Sequence, residues 1–597
     1  MTPRTHLWQL ARQWLRPIPI PKALAPMIRR VPGTGGKIAE EMGKGVGGLV
    51  EGGAAGRMMD VVRNVGIRIT ETPLMGMFLR WDEDNRVKKL RSEEGDGEGK
   101  EEEEGAKEER KPKRKVAVLI GYCGTGYRGM QLNPPHKSIE SDIFEAFIRA
   151  GAISRANSND PKKSSLARCA RTDKGVHAAG NVISLKLIIE DPEIVAKINA
   201  YLPEQIRIWG IVRTIGSFSC YYQCDSRRYE YLVPSHCFLP PHPTTYLAKL
   251  CRETAEQEGD TVGFESRQKE VEGWWDEVNR KTAEMFKDEE TYSRALEEEE
   301  SSDEEDDDGM DKDGKLRRSK SPENDIADQD QEMKTPKSTE EKLAEARIQE
   351  LRWKIRQFHR SQKRAYRISP ERLARVREAF TTYVGTWNFH NYTVQKEHKD
   401  ASAKRFIKSF EVLDPIIIND TEWLSLRVHG QSFMMHQIRK MVGMAMMTVR
   451  TGCSLARIHE TLSPRKISIP KAPSLGLLLE APVFESYNNM ATSQHSREPV
   501  DFDIHKVAID KFKEQMIYST LFAEEEKANV YTGFVHFLDS YRSPLFSYLT
   551  SAGMRALEDH KEELEAPRLN LKSRKRKVVQ PGPDSEDEDV GSDREAG

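Results

Sequence analysis

The segment RTDKGVHAAGN (171–181) places one carboxylate between two cations and follows it with a glycine, a histidine and a second glycine. Asp173 is the acid, and Arg171 and Lys174 are the cations. Nearby cations keep a carboxylate ionised at neutral pH, as a nucleophile or a general base must be. A turn aspartate that hydrogen-bonds its own backbone is the simpler interpretation, and the segment alone leaves both open.

An arginine inside an apolar helix is the second candidate. In FMMHQIRKMVGMAMMTVRTG (433–452), apolar side chains surround Arg439 on nearly every side of the predicted helix. A guanidinium buried there needs an anion, whereas one near a helix end extends along its own stem to water. Gly443, one turn later, predicts that another chain segment comes close to this helix.

Two tyrosines form the third candidate. Tyr229 and Tyr231 alternate on the predicted strand RRYEYLVP (227–234) and therefore share one of its faces. A sheet offers aromatic platforms to nucleobases in this way. Ordinary core packing is the commoner role of such a pair, and it remains the alternative.

The spacing of the apolar residues predicts both strands and helices around these candidates, since a period of two indicates a strand and a period of about 3.6 a helix. Their order along the chain is typical of an α+β fold with helices packed on an antiparallel sheet. We expect two related antiparallel-sheet halves of the RRM or ferredoxin-like type, with an active-site cleft between them. The predicted strands are 115–122, 181–190, 207–215, 227–234, 406–418 and 423–430, and the predicted helices are 138–153 and 433–452.

Composition divides the chain into six parts, because polar acidic stretches cannot bury a core and separate the segments that can. In chain order we predict a disordered N-terminal extension (1–112), the first half of the catalytic domain (113–240), an insertion that is partly helical and then acidic and disordered (241–345), the second half of the catalytic domain (346–490), a helical extension (491–560) and a disordered tail (561–597).

Charge is distributed unevenly along the 597 residues. The formal net charge is -2, but acidic tracts at 93–109, 297–308 and 584–595 carry -24 between them, which leaves +22 on the rest. A folded part that basic favours a polyanionic partner such as nucleic acid. Seven cysteines without a CxxC pair indicate a reducing compartment, and no apolar run is long enough to span a bilayer.

Basic segments near both ends resemble targeting signals. Residues 1–30 contain six cations and no acid, which resembles a mitochondrial presequence, although an unstructured basic arm fits equally well. KPKRK (111–115) and KSRKRK (572–577) are typical of nuclear-import patches, and short basic clusters also occur on RNA-binding surfaces. We therefore expect a nuclear location, with mitochondrial targeting as a further alternative.

Two patterns that would indicate a bound nucleotide cofactor or a zinc ion are not met by this sequence. GTGYRG (124–129) fits a dinucleotide-binding turn, but Pro134 and Pro135 exclude the helix that must begin inside that motif. Its glycines instead predict a loop that comes close to another backbone or to a ligand. The cysteines and His236 match none of the paired zinc spacings, so no metal site is expected.

With these residues in view, ARTDKGVHAAGNVISL (170–185) strongly resembles the signature of the TruA family of tRNA pseudouridine synthases. The resemblance covers residues 115–485. The motif sequences are similar to those of the eukaryotic branch of the family, whose enzymes are found in nuclei and in some organisms also in mitochondria. Cys123, Met130 and the large insertion depart from the bacterial pattern, so a monomer is expected rather than a bacterial-style homodimer. The other motifs, in order, are GYCGTGYRGMQ, SRRYEYLV, GTWNFHNYT, FMMHQIRKMVG and KAPSLGLLLEAPVF.

The resemblance implies roles for four residues. Asp173 would be the catalytic aspartate, and Arg439 would be the arginine that pairs with it. Tyr229 would stack on the target base and assist proton transfer. Arg171 would bind the substrate by intruding where the uridine is flipped out.

The implied reaction is the isomerisation of specific uridines in tRNA to pseudouridine. The N1 to C1′ glycosidic bond breaks, the uracil rotates, and C5 joins C1′, with no cofactor required. A paired base must first be extruded from its helix. Eukaryotic members also act on U2 small nuclear RNA and messenger RNA, so these are expected as further partners.

Two questions stay open from the sequence. Asp173 either attacks C1′ or removes the C2′ proton, and the residues do not distinguish these roles. A non-catalytic RNA-binding protein and a nucleotide-cofactor enzyme are the rival functions. The presence of Asp173, Tyr229 and Arg439 together argues against both.

Overall fold

The computed structural model describes residues 111–287, 292 and 339–561, all within the unit that spans Glu109–Gly597. The N-terminal basic segment, the acidic tracts and KSRKRK lie outside the described residues, so the disorder and targeting expected there stay predictions. Within the described part of the chain, no helix combines the length and the apolar character that a bilayer crossing requires.

Ten strands form one sheet. They are β1 (Arg114–Tyr122), β2 (Ala167–Arg168), β3 (His177–Leu187), β4 (Ile206–Arg213), β5 (Ser226–Pro234), β6 (Gly385–Asn388), β7 (Lys404–Val412), β8 (Ile416–Ile418), β9 (Thr421–Gly430) and β10 (Leu477–Val483). Their spatial order is β4-β1-β3-β10-β5-β9-β7-β6, with β2 paired to β3 and β8 paired to β9. Neighbouring strands run antiparallel, except that β10 and β3 are parallel.

Helices pack on this sheet and extend beyond it, and a π-helical turn, Lys513–Tyr518, occurs near the C-terminal end. The α-helices are α1 (Ile139–Arg149), α2 (Ile194–Tyr201), α3 (Tyr246–Gln257), α4 (Thr261–Ser266), α5 (Trp274–Phe286), α6 (Thr339–Ala365), α7 (Pro370–Thr381), α8 (Gln437–Arg450), α9 (Ala456–Glu460), α10 (Glu485–His495), α11 (Lys506–Phe512), α12 (Ser519–Ala528), α13 (Val530–Ser540) and α14 (Ala556–Asp559).

Local sequence explains where the main helices begin. Ser138 caps α1 because its hydroxyl accepts a hydrogen bond from the Ser141 amide. In return, the Ser141 hydroxyl accepts one from the Ser138 amide. Ser369 caps α7 by accepting a hydrogen bond from the Arg372 amide, and Pro370 fits the first turn because its missing N–H has no partner to lose there. These caps set the helix boundaries independently of the tertiary structure.

Both faces of β1 are covered, which explains its unbroken apolar run. Val116, Val118 and Ile120 pack in one cluster with residues of α1 and α2. Ala117 and Leu119 lie on the opposite face and pack with residues of α10. A strand buried on both faces loses the alternation expected of a half-exposed strand.

The other half of the sheet is covered by α7 and α8. Ile438 and Met441 of α8 are buried in the same cluster as Leu426 and Val428 of β9. Burying one such side chain stabilises the fold by about 1.5–3 kcal/mol. The largest core cluster of the described residues therefore holds α8, the helix of Arg439, against the sheet.

The expected α+β class is confirmed: the sheet is large, mostly antiparallel and packed with many helices. It is also continuous, because β10 lies between β3 and β5 and joins the two regions. The division into two related RRM-like halves with a cleft between them stays a prediction.

Several local predictions differ from the structure. The stretch 406–418 forms two strands, β7 and β8, with Pro415, which has no amide to donate to a ladder, between them. The strand expected at 181–190 begins earlier, at His177, and α2 follows it without having been predicted. The boundary drawn between 345 and 346 falls inside α6.

Candidate active site

Asp173 lies on the loop between β2 and β3, residues 169–176, called here the aspartate loop. Gly175 has a φ of 74°, a left-handed backbone that favours glycine. The amide of Val176 donates to the carbonyl of Asp173 at 3.1 Å and closes the turn. Backbone groups therefore close this turn, and the Asp173 carboxylate is available for another role.

The glycine-rich segment after β1 packs against the aspartate loop. A β-carbon on Gly124 would overlap the carbonyl of Val176. One on Gly129 would meet the Thr172 carbonyl oxygen at 2.9 Å. The amide of Met130 donates to that same carbonyl at 3.1 Å. The prediction that these glycines bring their loop close to another backbone is confirmed, and the backbone is that of the aspartate loop.

Buried side chains fix the aspartate loop to the sheet. The phenol of Tyr122, at the end of β1, shares a hydrogen bond of 2.9 Å with the Thr172 hydroxyl. The amide nitrogen of the Asn181 side chain donates to the Tyr122 oxygen at 3.3 Å and to the Ala170 carbonyl at 3.0 Å. Such a network holds the residues around Asp173 in one geometry, as a catalytic group requires.

His436 lies beside Asp173, with its Nδ1 3.2 Å from the carboxylate Oδ2. Burial works against ionisation of Asp173, but the His436 contact and the charges of Arg439 and Lys471 outweigh it and lower its pKa. The Asp173 side chain is nevertheless 37% exposed. An ionised carboxylate that a ligand can reach is suited to act as a nucleophile or a base.

Arg439 is buried in the first turn of α8. Its Nε donates to the Ala472 carbonyl at 2.7 Å, and the Ala472 amide donates to the Arg439 carbonyl at 3.2 Å. Burial lowers the pKa of Arg439, whereas Tyr231 and Asp173 raise it, and a guanidinium stays protonated in proteins. The buried interpretation is confirmed. The pairing with Asp173 stays a prediction, since Arg439 acts on it as a nearby charge.

The segment 470–472 is fastened to α8. A β-carbon on Gly443 would overlap the Pro470 carbonyl, so the predicted close approach at Gly443 is confirmed. This contact and the Ala472 hydrogen bonds hold Lys471 between them, near enough to Asp173 for its charge to act there. Lys471 therefore adds to the positive surroundings of the carboxylate.

The two tyrosines of β5 have different roles. Tyr229 is half-buried, and its ring lies edge-on to Phe433 with 5.3 Å between centroids. Burial raises the pKa of the Tyr229 phenol well above its ordinary value, so the phenol keeps its proton at neutral pH. Tyr231 is fully buried, and its phenol donates to the Pro473 carbonyl at 2.7 Å. Core packing is thus correct for Tyr231, whereas Tyr229 is partly exposed and packs beside Phe433, three residues before His436.

The remaining polar residues of the loop divide between surface and core. Arg171 and Lys174, on either side of Asp173 in the loop, are exposed. His177 is fully buried, and its Nδ1 accepts from the Gly124 amide at 3.2 Å. Burial lowers the pKa of His177 to about 4, so the ring is neutral at physiological pH. It braces the two loops against each other.

Sequence reasoning missed His436 and Lys471. His436 has a φ of 64°, a left-handed backbone that is uncommon for a residue with a side chain. Such conformations persist where the surrounding structure enforces them, and they cluster at active sites. The sequence predicted a helix from 433, but α8 begins at Gln437, so His436 lies just before the helix and helical spacing gave no signal for it.

The site therefore contains one reachable, ionised carboxylate with cations on several sides and a protonated tyrosine near it. This arrangement can attack an electrophilic carbon or remove a proton from one, while the cations stabilise negative charge that develops beside it. Among the residues that the structure describes, no three His, Cys, Asp or Glu side chains are grouped so as to hold a metal ion.

Known proteins match the chain in the same region. A family model described as "tRNA pseudouridine synthase" matches residues 379–485. The Schizosaccharomyces pombe protein named tRNA pseudouridine synthase 1 is 42% identical over 475 residues, which cover 75% of this chain and 87% of the relative. Its Saccharomyces cerevisiae namesake is 40% identical over 495 residues, 79% of this chain and 82% of the relative.

A further Saccharomyces cerevisiae protein, tRNA pseudouridine(27/28) synthase, is 34% identical over 432 residues, 72% of this chain and 100% of the relative. The fold and site define a TruA-type pseudouridine synthase domain, and the chain belongs to the tRNA pseudouridine synthase family. It is an isomerase, and its relatives include several fungal proteins named tRNA pseudouridine synthase 1.

Proposed function

We propose that the chain converts specific uridines of tRNA to pseudouridine, with Asp173 acting on the ribose of a flipped-out nucleotide. The observation that supports this most directly is the state of Asp173: its pKa is lowered, yet 37% of its side chain is exposed. A carboxylate that is ionised and reachable can do chemistry on a bound substrate.

In this mechanism Asp173 either attacks C1′ or removes the C2′ proton, and both routes break the bond from N1 to C1′. The uracil leaves with the bonding electron pair and rotates, and its C5 then forms the new bond to C1′. In the first route this step displaces the Asp173 carboxylate from C1′, and in the second Asp173 returns its proton to C2′. C5 finally loses its proton and N1 gains one, so no atoms are gained or lost overall. Arg439 and Lys471 stabilise the negative charge, and the protonated Tyr229 is placed to assist proton transfer and to contact the base.

RNA would enter a cleft between the two proposed halves of the catalytic domain, with the target uridine extruded toward Asp173. Arg171 is exposed at the start of the aspartate loop, and this position suits a side chain that occupies the space left by the flipped base. Phosphate contacts from the basic surroundings would position the RNA without reading its sequence.

The wider assignments rest on the resemblance to the eukaryotic branch. We extend the proposal to U2 small nuclear RNA and messenger RNA as further substrates, and to a monomer that works in the nucleus and also in mitochondria. Of the two nuclear-import candidates, KPKRK supplies the first residues of β1, Arg114 and Lys115. Deleting 572–577 from a fluorescent fusion would therefore test nuclear import without disturbing the sheet.

The experiment that tests the activity uses the full chain and a tRNA transcript. We expect wild type to form pseudouridine and Asp173→Asn to form almost none, while both bind the tRNA with similar affinity. Asp191→Asn is the matched control, since Asp191 is a surface aspartate of the same region that pairs with Lys197. Wild-type pseudouridine formation by Asp173→Asn would refute the proposed role of this residue. Mapping pseudouridine in cellular RNA would then identify the modified positions.

A further inference from the structure

Two adjacent tyrosines stand exposed on the turn that leads into β5. Tyr221 is 51% exposed and Tyr222 is 78% exposed. Their ring centroids are 5.1 Å apart with the rings nearly perpendicular, so the edge of one ring meets the face of the other. Large aromatic side chains left together in water are a feature of binding surfaces.

The turn that carries these tyrosines is rigid. The amide of Gln223 donates to the Ser219 carbonyl at 3.0 Å, and the amide of Ser219 donates to the Gln223 side-chain oxygen at 2.9 Å. Cys220, between them, is fully buried and anchors the turn to the core. A preformed aromatic surface binds at a lower entropic cost than one that must be ordered on binding.

Arg227 connects this turn to the active site. Its guanidinium donates at 2.8 Å to the carbonyl of Cys169, the first residue of the aspartate loop, and at 3.4 Å to the carbonyl of Gln431, shortly before α8. Within the turn itself, the Cys220 thiol donates to the carbonyl of Ala167 on β2 at 3.2 Å. The turn with the exposed tyrosines is therefore held beside the strand that leads into the aspartate loop.

We propose that Tyr221 and Tyr222 form a stacking platform for an unpaired nucleobase of the substrate RNA, next to the flipped uridine. This inference rests on the proposed function. Extruding one base removes a stacking partner from its neighbours, and an aromatic side chain can replace that partner whatever the base. Arg227 and the exposed Arg228 follow the turn in sequence and add positive charge to this segment, which favours RNA over an apolar protein surface.

The first test replaces each tyrosine and measures tRNA affinity and single-turnover rate. Tyr221→Ala and Tyr222→Ala should weaken binding by roughly 5- to 100-fold, the range seen when a stacking ring is removed. Phenylalanine keeps the ring, so Tyr221→Phe and Tyr222→Phe should bind within about twofold of wild type. The rate at saturating RNA should not change. Trp353→Ala, which removes a 60% exposed ring on α6, is the control and should bind normally.

The second test locates the base by using tRNA transcripts with one abasic nucleotide at each position near the target. At the stacked position, wild type should bind the abasic RNA as weakly as the alanine variants bind intact RNA, and the two losses should not add. Unchanged affinity in both alanine variants, as expected if the rings instead bind a protein, would overturn the platform. Losses that add at every position would overturn it too. Failure of wild type to make pseudouridine would refute the proposed function without affecting these binding measurements.

Discussion

Two carboxylates in this protein are surrounded by positive charge, Asp173 on the aspartate loop and Glu230 on β5. The Glu230 side chain is 3% exposed. The Ser425 hydroxyl and the Tyr518 phenol both donate to it, and the Lys513 ammonium lies 3.4 Å away. The Asp173 side chain is 37% exposed, and the Nδ1 of His436 lies 3.2 Å from its carboxylate.

The pKa is lowered in both carboxyl groups, but the two groups serve different purposes. Burial opposes ionisation of Glu230, yet Lys513 and the hydrogen bonds around it lower its pKa, while burial raises the pKa of the neighbouring Glu480. Lys513 and Tyr518 are the first and last residues of the π-helical turn. By contacting both, Glu230 fastens the C-terminal helices to the central sheet. A carboxylate whose lone pairs are satisfied by the fold serves stability, and one with an open side is available to a substrate.

The largest expected effect is on catalysis by Asp173. Asp173→Asn should reduce pseudouridine formation by at least ~10⁴-fold, because no other group could replace a nucleophile or base at the ribose. Its free energy of unfolding should change by less than about 1 kcal/mol, since the side chain is partly exposed. Thermal unfolding and single-turnover rates measured on the same preparation check both statements. A large loss of stability in Asp173→Asn would mean that Asp173 stabilises the fold as Glu230 does, and the contrast between the two carboxylates would not hold.

The second prediction concerns Glu230. Glu230→Ala should lower the free energy of unfolding by about 1–3 kcal/mol, because it leaves the Ser425 and Tyr518 hydroxyls without their acceptor, whereas Lys513 keeps Glu480 as a partner. The rate per folded molecule should stay within about threefold of wild type, if sites outside the reaction act mainly through folding. Urea denaturation followed by fluorescence measures the loss. Glu558→Ala is the control, since its ion pair with Arg465 lies at the surface and should cost under about 1 kcal/mol.

The same carboxylate gives a pH dependence of stability. Because the pKa of folded Glu230 is lowered, its contribution is present above the ordinary glutamate value of 4.5 and is lost as the pH falls below that value. Wild type should therefore lose stability more steeply in acid than Glu230→Ala. Parallel pH profiles for the two proteins would contradict this assignment.

The smallest predicted effect belongs to His436. His436→Gln should lower kcat by roughly tenfold, the effect expected for removing one contact to a charged group, with KM little changed. Without His436 the pKa of Asp173 should rise, so the acid limb of the rate profile should move to higher pH. His495→Gln, an exposed histidine of α10, is the control. An unmoved acid limb would limit His436 to a structural role.

Much of the site could be predicted from local sequence. Gly175 supports the turn of the aspartate loop, Gly129 and Gly443 mark close approaches, and the apolar surroundings of Arg439 indicate its burial. Each of these signals depends on the conformation or size of the residue itself. The assignment of Asp173 as catalytic came from the resemblance and remains a prediction for mutagenesis.

Other features could not be predicted because they depend on pairs of residues far apart in the chain. The insertion of β10 between β3 and β5 requires strands from both ends of the domain. Tyr231 shares a strand face with Tyr229, yet the segment after α9 buries one ring through Pro473 and leaves the other partly exposed. No period or motif in RRYEYLVP distinguishes the two tyrosines.

Local sequence accounts for several elements and for the reactive groups: the Ser138 cap, the apolar period of α8, the glycines and an aspartate between cations. The folded arrangement alone brings His436 and Lys471 close to Asp173 and encloses Glu230. The physical reason is that caps and backbone angles are fixed by neighbours in sequence. The pKa and exposure of a carboxylate are set by whichever charges and surfaces folding brings within a few ångströms of it.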